Sequence, residues 1–478
     1  MQETFLLRPG RLLLLSALAG GMGWGIRGQY GHETGAMVAG LLVGLVLALH
    51  FCGRAGALNG ARAVALITLG IAFGGSMTYG QTIGLTQDEA LIGNWAALRW
   101  GLLGLFVKGA IWVGFAGAFL GMGLNATRYR VWEVGLVGLG LVLLLWVGLR
   151  VLNEPFLPDE RILPRFYFSA DWHWTPGVDL RPRRERWGGL LVALIGLLAY
   201  VGWIRRDRLS FNLGLWGMLG GGLGFALGQS LQAFHAWNRE WFQSGWLGRV
   251  DPLLNWWNLM EITFGAIWGL TLALGLWLNR REVSAPENAP DPAIKPVVEW
   301  GLFAVYLPAL CAWQFLSVPA LDAVADHAIT MGLIPLVAVV GGRWWPYLLA
   351  LPLVALPIAG KTFRELCVVE GTVPLLPGVL LYLLVPLAST TWVAGRYASR
   401  ARQAEAAEGY LRAALLLATW LYFALNFAFF RFPWPWEPPT VRTPSTIVFI
   451  LCAIGLTLGA WGARKGLGRE GCRPETGT

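Results

Sequence analysis

Charge is scarce in this chain. Of 478 residues, 14% are Asp, Glu, Lys or Arg, where soluble domains carry about 25%. That shortage leaves no polar surface for a large soluble domain. Lysine is nearly missing: 37 residues are basic, yet the lysines are only Lys108, Lys295, Lys361 and Lys465. Cysteine is sparse and scattered (Cys52, Cys311, Cys367, Cys452, Cys472) with no CxxC pair, which argues against a disulfide framework or a zinc site. There is no Walker sequence, no GxSxG and no HExxH, so ATP-driven pumping within this chain, serine hydrolysis and standard zinc catalysis are disfavoured and no cofactor is called for. No A-x-A pattern follows the first apolar run, so it is not read as a removed signal peptide. The net charge of +9 forms no basic stripe interleaved with stacking aromatics, which excludes a nucleic-acid partner.

What is abundant is apolar. Hydrophobic residues make up 56% of the chain and the mean hydropathy is +0.54, with 63 Gly and 27 Trp. These values define an all-α, polytopic membrane helix bundle with membrane lipids as its surroundings. Apolar runs predict spans near 12-28, 35-52, 62-80, 98-122, 132-151, 187-204, 209-230, 253-279, 298-318, 324-341, 344-360, 372-394, 411-430 and 444-463. This gives an expected count of about 14, although several runs fall short of the roughly 20 residues a bilayer needs. With the N-terminus inside, Lys and Arg favour the inner segments, as the positive-inside rule requires. The expected location is a bacterial cytoplasmic membrane with both termini cytoplasmic.

The sequence divides into an N-terminal bundle, 1-281, a proline-bearing linker, 282-296, and a C-terminal bundle, 297-478. Segment 152-186 is the one sizeable outer loop. It is nearly neutral, contains DWHW at Asp171 to Trp174, and is read as an interfacial connector, with an ordered lid as the alternative.

One motif recurs three times. Residues 20-29 read GGMGWGIRGQ, 74-81 read GGSMTYGQ and 220-229 read GGGLGFALGQ. A later helix in each case carries a small-residue step: GAMVAG at 35-40, GAIWVG at 109-114, GAIWG at 265-269. Glycine pairs let membrane helices approach closely, and Gly before Gln permits a break near the bilayer edge, so three Gly-rich broken hairpins are expected around a common outer site. For a single copy, packing is the better explanation; three copies bring the two into balance.

Polar residues gather after the motif. The binding candidates are Arg27, Gln29, His32 and Glu33 in the first hairpin, Gln81 and Lys108 in the second, and Gln229, His235 and Glu261 in the third. Lys108 and Glu261 are expected about eight to ten residues inside their helices, roughly 12-15 Å deep, where an unpaired charge is costly. They are expected either to pair with each other or to line one hydrated cavity. A weaker cluster at Asp322, Asp326 and His327 is read as a helix cap. No catalytic or metal-binding residue is assigned.

Three function classes compete. A transporter or channel for a small polar or ionic solute leads, on short loops, glycine-rich hairpins and buried charge. A membrane-embedded transferase acting on lipid-linked or glycan substrates is second, with His32 or Glu33 as base, and its want of a long first outer loop counts against it. A structural subunit of a membrane complex is third. A homo-oligomer or a membrane complex is compatible with all three.

Overall fold

The computed structural model describes residues 9–52, 59–125, 127, 129, 131–175, 181–284, 295–315, 345–400, 406–430 and 440–468. Among them the chain is all-helical, with no strand beyond an isolated bridge between Leu157 and Ile162. Helices stand over every predicted span but 324–341, which lies outside the described residues, as do Asp322, Asp326, His327 and most of the linker.

Seven of these helices are long and apolar enough to cross a membrane: Glu33–Cys52, Trp95–Leu124, Trp187–Ile204, Trp256–Leu278, Leu375–Ala398, Ala407–Phe429 and Thr443–Trp461. They fit an integral membrane protein. Seven falls short of the expected fourteen. Two glycine-rich helices, Pro9–Arg27 and Arg208–Trp237, miss on composition, because glycine adds length without apolar surface.

The helices that build the site are α1 (Pro9–Arg27), α2 (Glu33–Cys52), α3 (Asn59–Gly74), the short α4 (Gly80–Gln87), α5 (Trp95–Leu124), α6 (Val131–Leu152), α7 (Trp187–Ala199), α8 (Arg208–Trp237) and α9 (Trp256–Leu278). Neighbour contacts close a ring: α1 lies against α2, α2 against α3, α3 against α5, α5 against α8, α8 against α9 and α9 against α1. The α6–α7 pair packs outside on α5 and α8, while Ala406–Phe429 and Thr443–Gly468 pack on the α1–α2 side.

Glycine explains the tightness of the ring. A Cβ on Gly20 would lie 2.1 Å from the Gly265 carbonyl oxygen, and one on Gly221 would lie 2.1 Å from that of Gly109. The glycine pairs thus seat one helix directly on the small-residue step of another, backbone to backbone, as in close-packed membrane helices. They do not break α8. That helix runs unbroken through Gly228 and Gln229, so the expected break is absent there, and the glycines serve packing.

Aromatic rings fill the interior. Trp24 of α1 meets Trp112 of α5 edge-on at 5.0 Å and Phe264 of α9 at 4.5 Å, with Trp268 at 6.2 Å. Trp112 and Trp268 end the two GAIW steps, so the step that admits the neighbouring backbone also delivers an indole to the core. Such edge-to-face pairs contribute about 0.5–1.5 kcal/mol each beyond burial.

Segment 153–186 is ordered where described and packs across one end of the ring. Tyr167, Phe168, Ser169 and Ala170 are buried. The Phe168 ring lies where a Gly104 side chain would be, and Ala170 N donates to Gln81 O at 2.9 Å. Two aromatic and two small residues in succession, YFSA, sink onto α4 and α5, and the segment is called the lid below.

Candidate functional site

At the lid end of the ring, the connection Thr78–Gln87 collects most of the predicted polar residues. It follows the shortened α3, and its extended start drops Thr78 and Tyr79 inward before α4 begins.

Arg27, the last residue of α1, is 2% exposed. Its guanidinium donates to Tyr79 Oη, lies 3.7 Å from Glu261 Oε1 of α9, and rests over the rings of Trp24, Trp112 and Tyr79 at 4.6, 5.1 and 5.3 Å. Cation–π contacts of this kind, desolvated, stabilise by about 2 kcal/mol. Glu261 also accepts from Trp257 Nε1 and Asn258 Nδ2, both at 3.3 Å, and from Tyr79 Oη at 3.5 Å. Asn258 Nδ2 in turn holds Gly25 O at 2.7 Å, fixing α9 to α1.

Lys108 does not pair with Glu261, the first of the two arrangements expected from the sequence. Its Nζ reaches Glu185 Oε1 at 2.7 Å, Thr82 Oγ1 at 2.7 Å and Thr78 O at 2.8 Å. The two positions along their helices also differ from the expected eight to ten residues, because α5 starts at Trp95 and α9 at Trp256. Lys108 is therefore about 20 Å along its helix and Glu261 about 8 Å along its own. Glu185 comes from the end of the lid, where its second oxygen accepts from Phe168 N at 2.8 Å and Trp187 Nε1 at 3.2 Å. Two buried ion pairs, each neutral overall, thus flank the Thr78–Thr82 turn.

The remaining candidates divide. His32, in the turn between α1 and α2, stands edge-on to Tyr79 at 5.1 Å, and its buried Nδ1 has no partner among the described residues. Burial, then the positive charges of Arg27 and Lys108, press its pKa down to about 3. Gln29 in the same turn and Glu33 at the start of α2 are half-buried nearby. Gln81 turns its amide oxygen to Arg183 of the lid, accepting from Nε at 2.9 Å and Nη1 at 3.1 Å. Gln229 is fully buried, with Nε2 on Thr86 Oγ1 at 2.7 Å and Oε1 unpartnered among the described residues. His235 is elsewhere: it binds Asp251 at 2.8 Å and stacks on Trp256 at 4.3 Å, bracing the end of α8.

Tyr79, Thr82, Arg183 and Glu185 were not singled out from the sequence. Tyr79 stands inside the second Gly-Gln motif, which was a usable signal; Glu185 was one acid among six in a neutral segment and carried none. Asp88 and Asp171 also meet where α4 joins the lid. Burial raises the pKa of each, and for Asp171 the Asp88 and Glu185 charges add to this while Arg183 opposes it.

The described residues hold no group of three or more His, Cys, Asp or Glu that could bind a metal. A cleft of about 340 Å³ between Asn212, Leu215, Trp216, Leu219 and Asn279 lies away from all these residues. No protein-family model, curated protein or solved structure matches this chain.

Proposed function

We propose that the protein is a transporter or channel for a small polar or ionic solute, with its site where the three hairpins α1–α2, α3–α5 and α8–α9 converge. On this reading the lid end faces outward and both termini are cytoplasmic. The three hairpins are then related by an axis along the membrane normal, and lipids surround the bundle. The observation that carries the reading is the Arg27–Glu261 pair: two buried charges 3.7 Å apart, inside an aromatic cage, at the meeting point of separate hairpins. Charges in a membrane interior are costly, and by default they mark solute and ion paths.

Full-length protein in liposomes tests the proposal. Thermal stabilisation by amino acids, carboxylates, sugars and inorganic ions selects a binder, whose labelled form is then followed for uptake. Uptake should be abolished in Arg27→Gln and reduced in Tyr79→Phe. Protein that is stabilised by no solute and moves none would leave the cluster a packing feature.

A further inference from the structure

The two buried ion pairs are built differently. Around Glu185 the Lys108 and Phe168 bonds are short, at 2.7 and 2.8 Å. Around Glu261 every donor is distant: 3.3 Å for Trp257 and Asn258, 3.5 Å for Tyr79, 3.7 Å for Arg27. Charge-assisted hydrogen bonds ordinarily close to about 2.7–2.9 Å. Glu261 is ringed by donors and gripped by none.

It is also within reach of the surface. Gly28 is exposed, and the position its Cβ would take lies 2.7 and 2.9 Å from Glu261 Oε2 and Oε1. At Gly28 no side chain stands between the exposed turn and this carboxylate, which is itself 3% exposed. Beside it, the buried Nε of Arg27 has no partner among the described residues.

We infer that Glu261 binds a proton arriving past Gly28, and that the Arg27 charge this releases takes a small anion, a carboxylate or an inorganic oxyanion. The step is a simple transfer: hydronium gives its proton to a Glu261 oxygen, an O–H bond forms, water leaves, and the pair passes from neutral to a single positive charge. A caged guanidinium without a counter-ion is costly, so anion binding and proton binding favour each other reciprocally. Tyr79 and Arg442, at the start of Thr443–Gly468, also act on Glu261, and His32 lies near Arg27. The α8 face opposite presents Gly224, Phe225 and Gly228, which do not titrate. The proton half stands on this geometry, whereas the anion half rests on the transport reading.

Infrared difference spectra of the full chain in lipid nanodiscs, between mildly acidic and mildly alkaline pH, test the first half. A titrating carboxylic-acid band should be present in the native protein and in Glu240→Gln, and missing from Glu261→Gln; its persistence in Glu261→Gln would overturn the assignment. If that variant does not fold, Gly28→Ala carries the test. Deuterium exchange of the band should slow severalfold, and an unchanged rate would refute entry past Gly28. For the second half, formate, acetate and phosphate are added to the same protein. At least one should stabilise it more at acidic than at alkaline pH, with the effect lost in Arg27→Gln. Equal stabilisation at both pH values, or none, removes the anion. A titrating band in protein that transports nothing would refute transport and leave the proton site standing.

Discussion

Lys108 and Glu185 meet at 2.7 Å across 77 residues of sequence, with each side chain 2% exposed. The bond ties the middle of α5 to the last residues of the lid, and Thr82 on the same ammonium ties both to α4. It is thus the clasp of the lid end of the ring.

Breaking one side of the clasp should be worse than removing both. Lys108→Met strands a buried carboxylate, a loss of about 3–5 kcal/mol. Lys108→Met combined with Glu185→Gln strands no charge. Thermal melting in a mild detergent should place the double variant above the single one. A single variant as stable as the native protein would mean that Lys108 finds water instead.

The ring seams should tolerate nothing larger than hydrogen. Gly20→Ala or Gly265→Ala drives a methyl group into the facing backbone, and overpacking of this sort costs about 1–3 kcal/mol. Gly138→Ala on α6, where a Cβ meets nothing within 4 Å, should be neutral or slightly stabilising. Melting temperatures of the three variants, compared with the native protein, decide the matter; equal losses at all three would detach the effect from the ring.

Sidedness can be read chemically. In a background without native cysteines, Glu160→Cys on the lid and Ser399→Cys after Val385–Ala398 are both exposed. An impermeant thiol reagent added to intact cells should label the first alone. Labelling of the second alone would turn the protein over, and Ser169 is unsuitable for this purpose because it is a buried residue of the lid.

The helices were legible because apolar runs of this length have few other fates in membrane proteins, and glycines of the motif pack at the seams of the ring. What the motif meant was less legible. Gly228–Gln229 reads the same whether the helix stops or continues, and only the facing backbone of α9 decides it. Arg27, His32 and Glu261 were recognisable as charge or imidazole set among apolar residues. Their partners were not: Tyr79 reads as an ordinary motif tyrosine, and Glu185 belongs to a segment whose charges cancel. A pairing made across 77 residues leaves no trace in local spacing.

That separation has a consequence for how the protein is made. During synthesis α5 reaches the membrane with Lys108 before α6, α7 or Glu185 exists. At elongation rates of about 5–20 residues per second, the ammonium waits roughly 4–15 s for its carboxylate. It does not wait bare. Thr78 O and Thr82 Oγ1, made earlier in the same chain, are two of its three hydrogen-bond acceptors in the folded protein, at 2.8 and 2.7 Å. The α3–α4 turn thus offers the lysine its first acceptors, and the end of the lid, made last, brings the carboxylate that neutralises it.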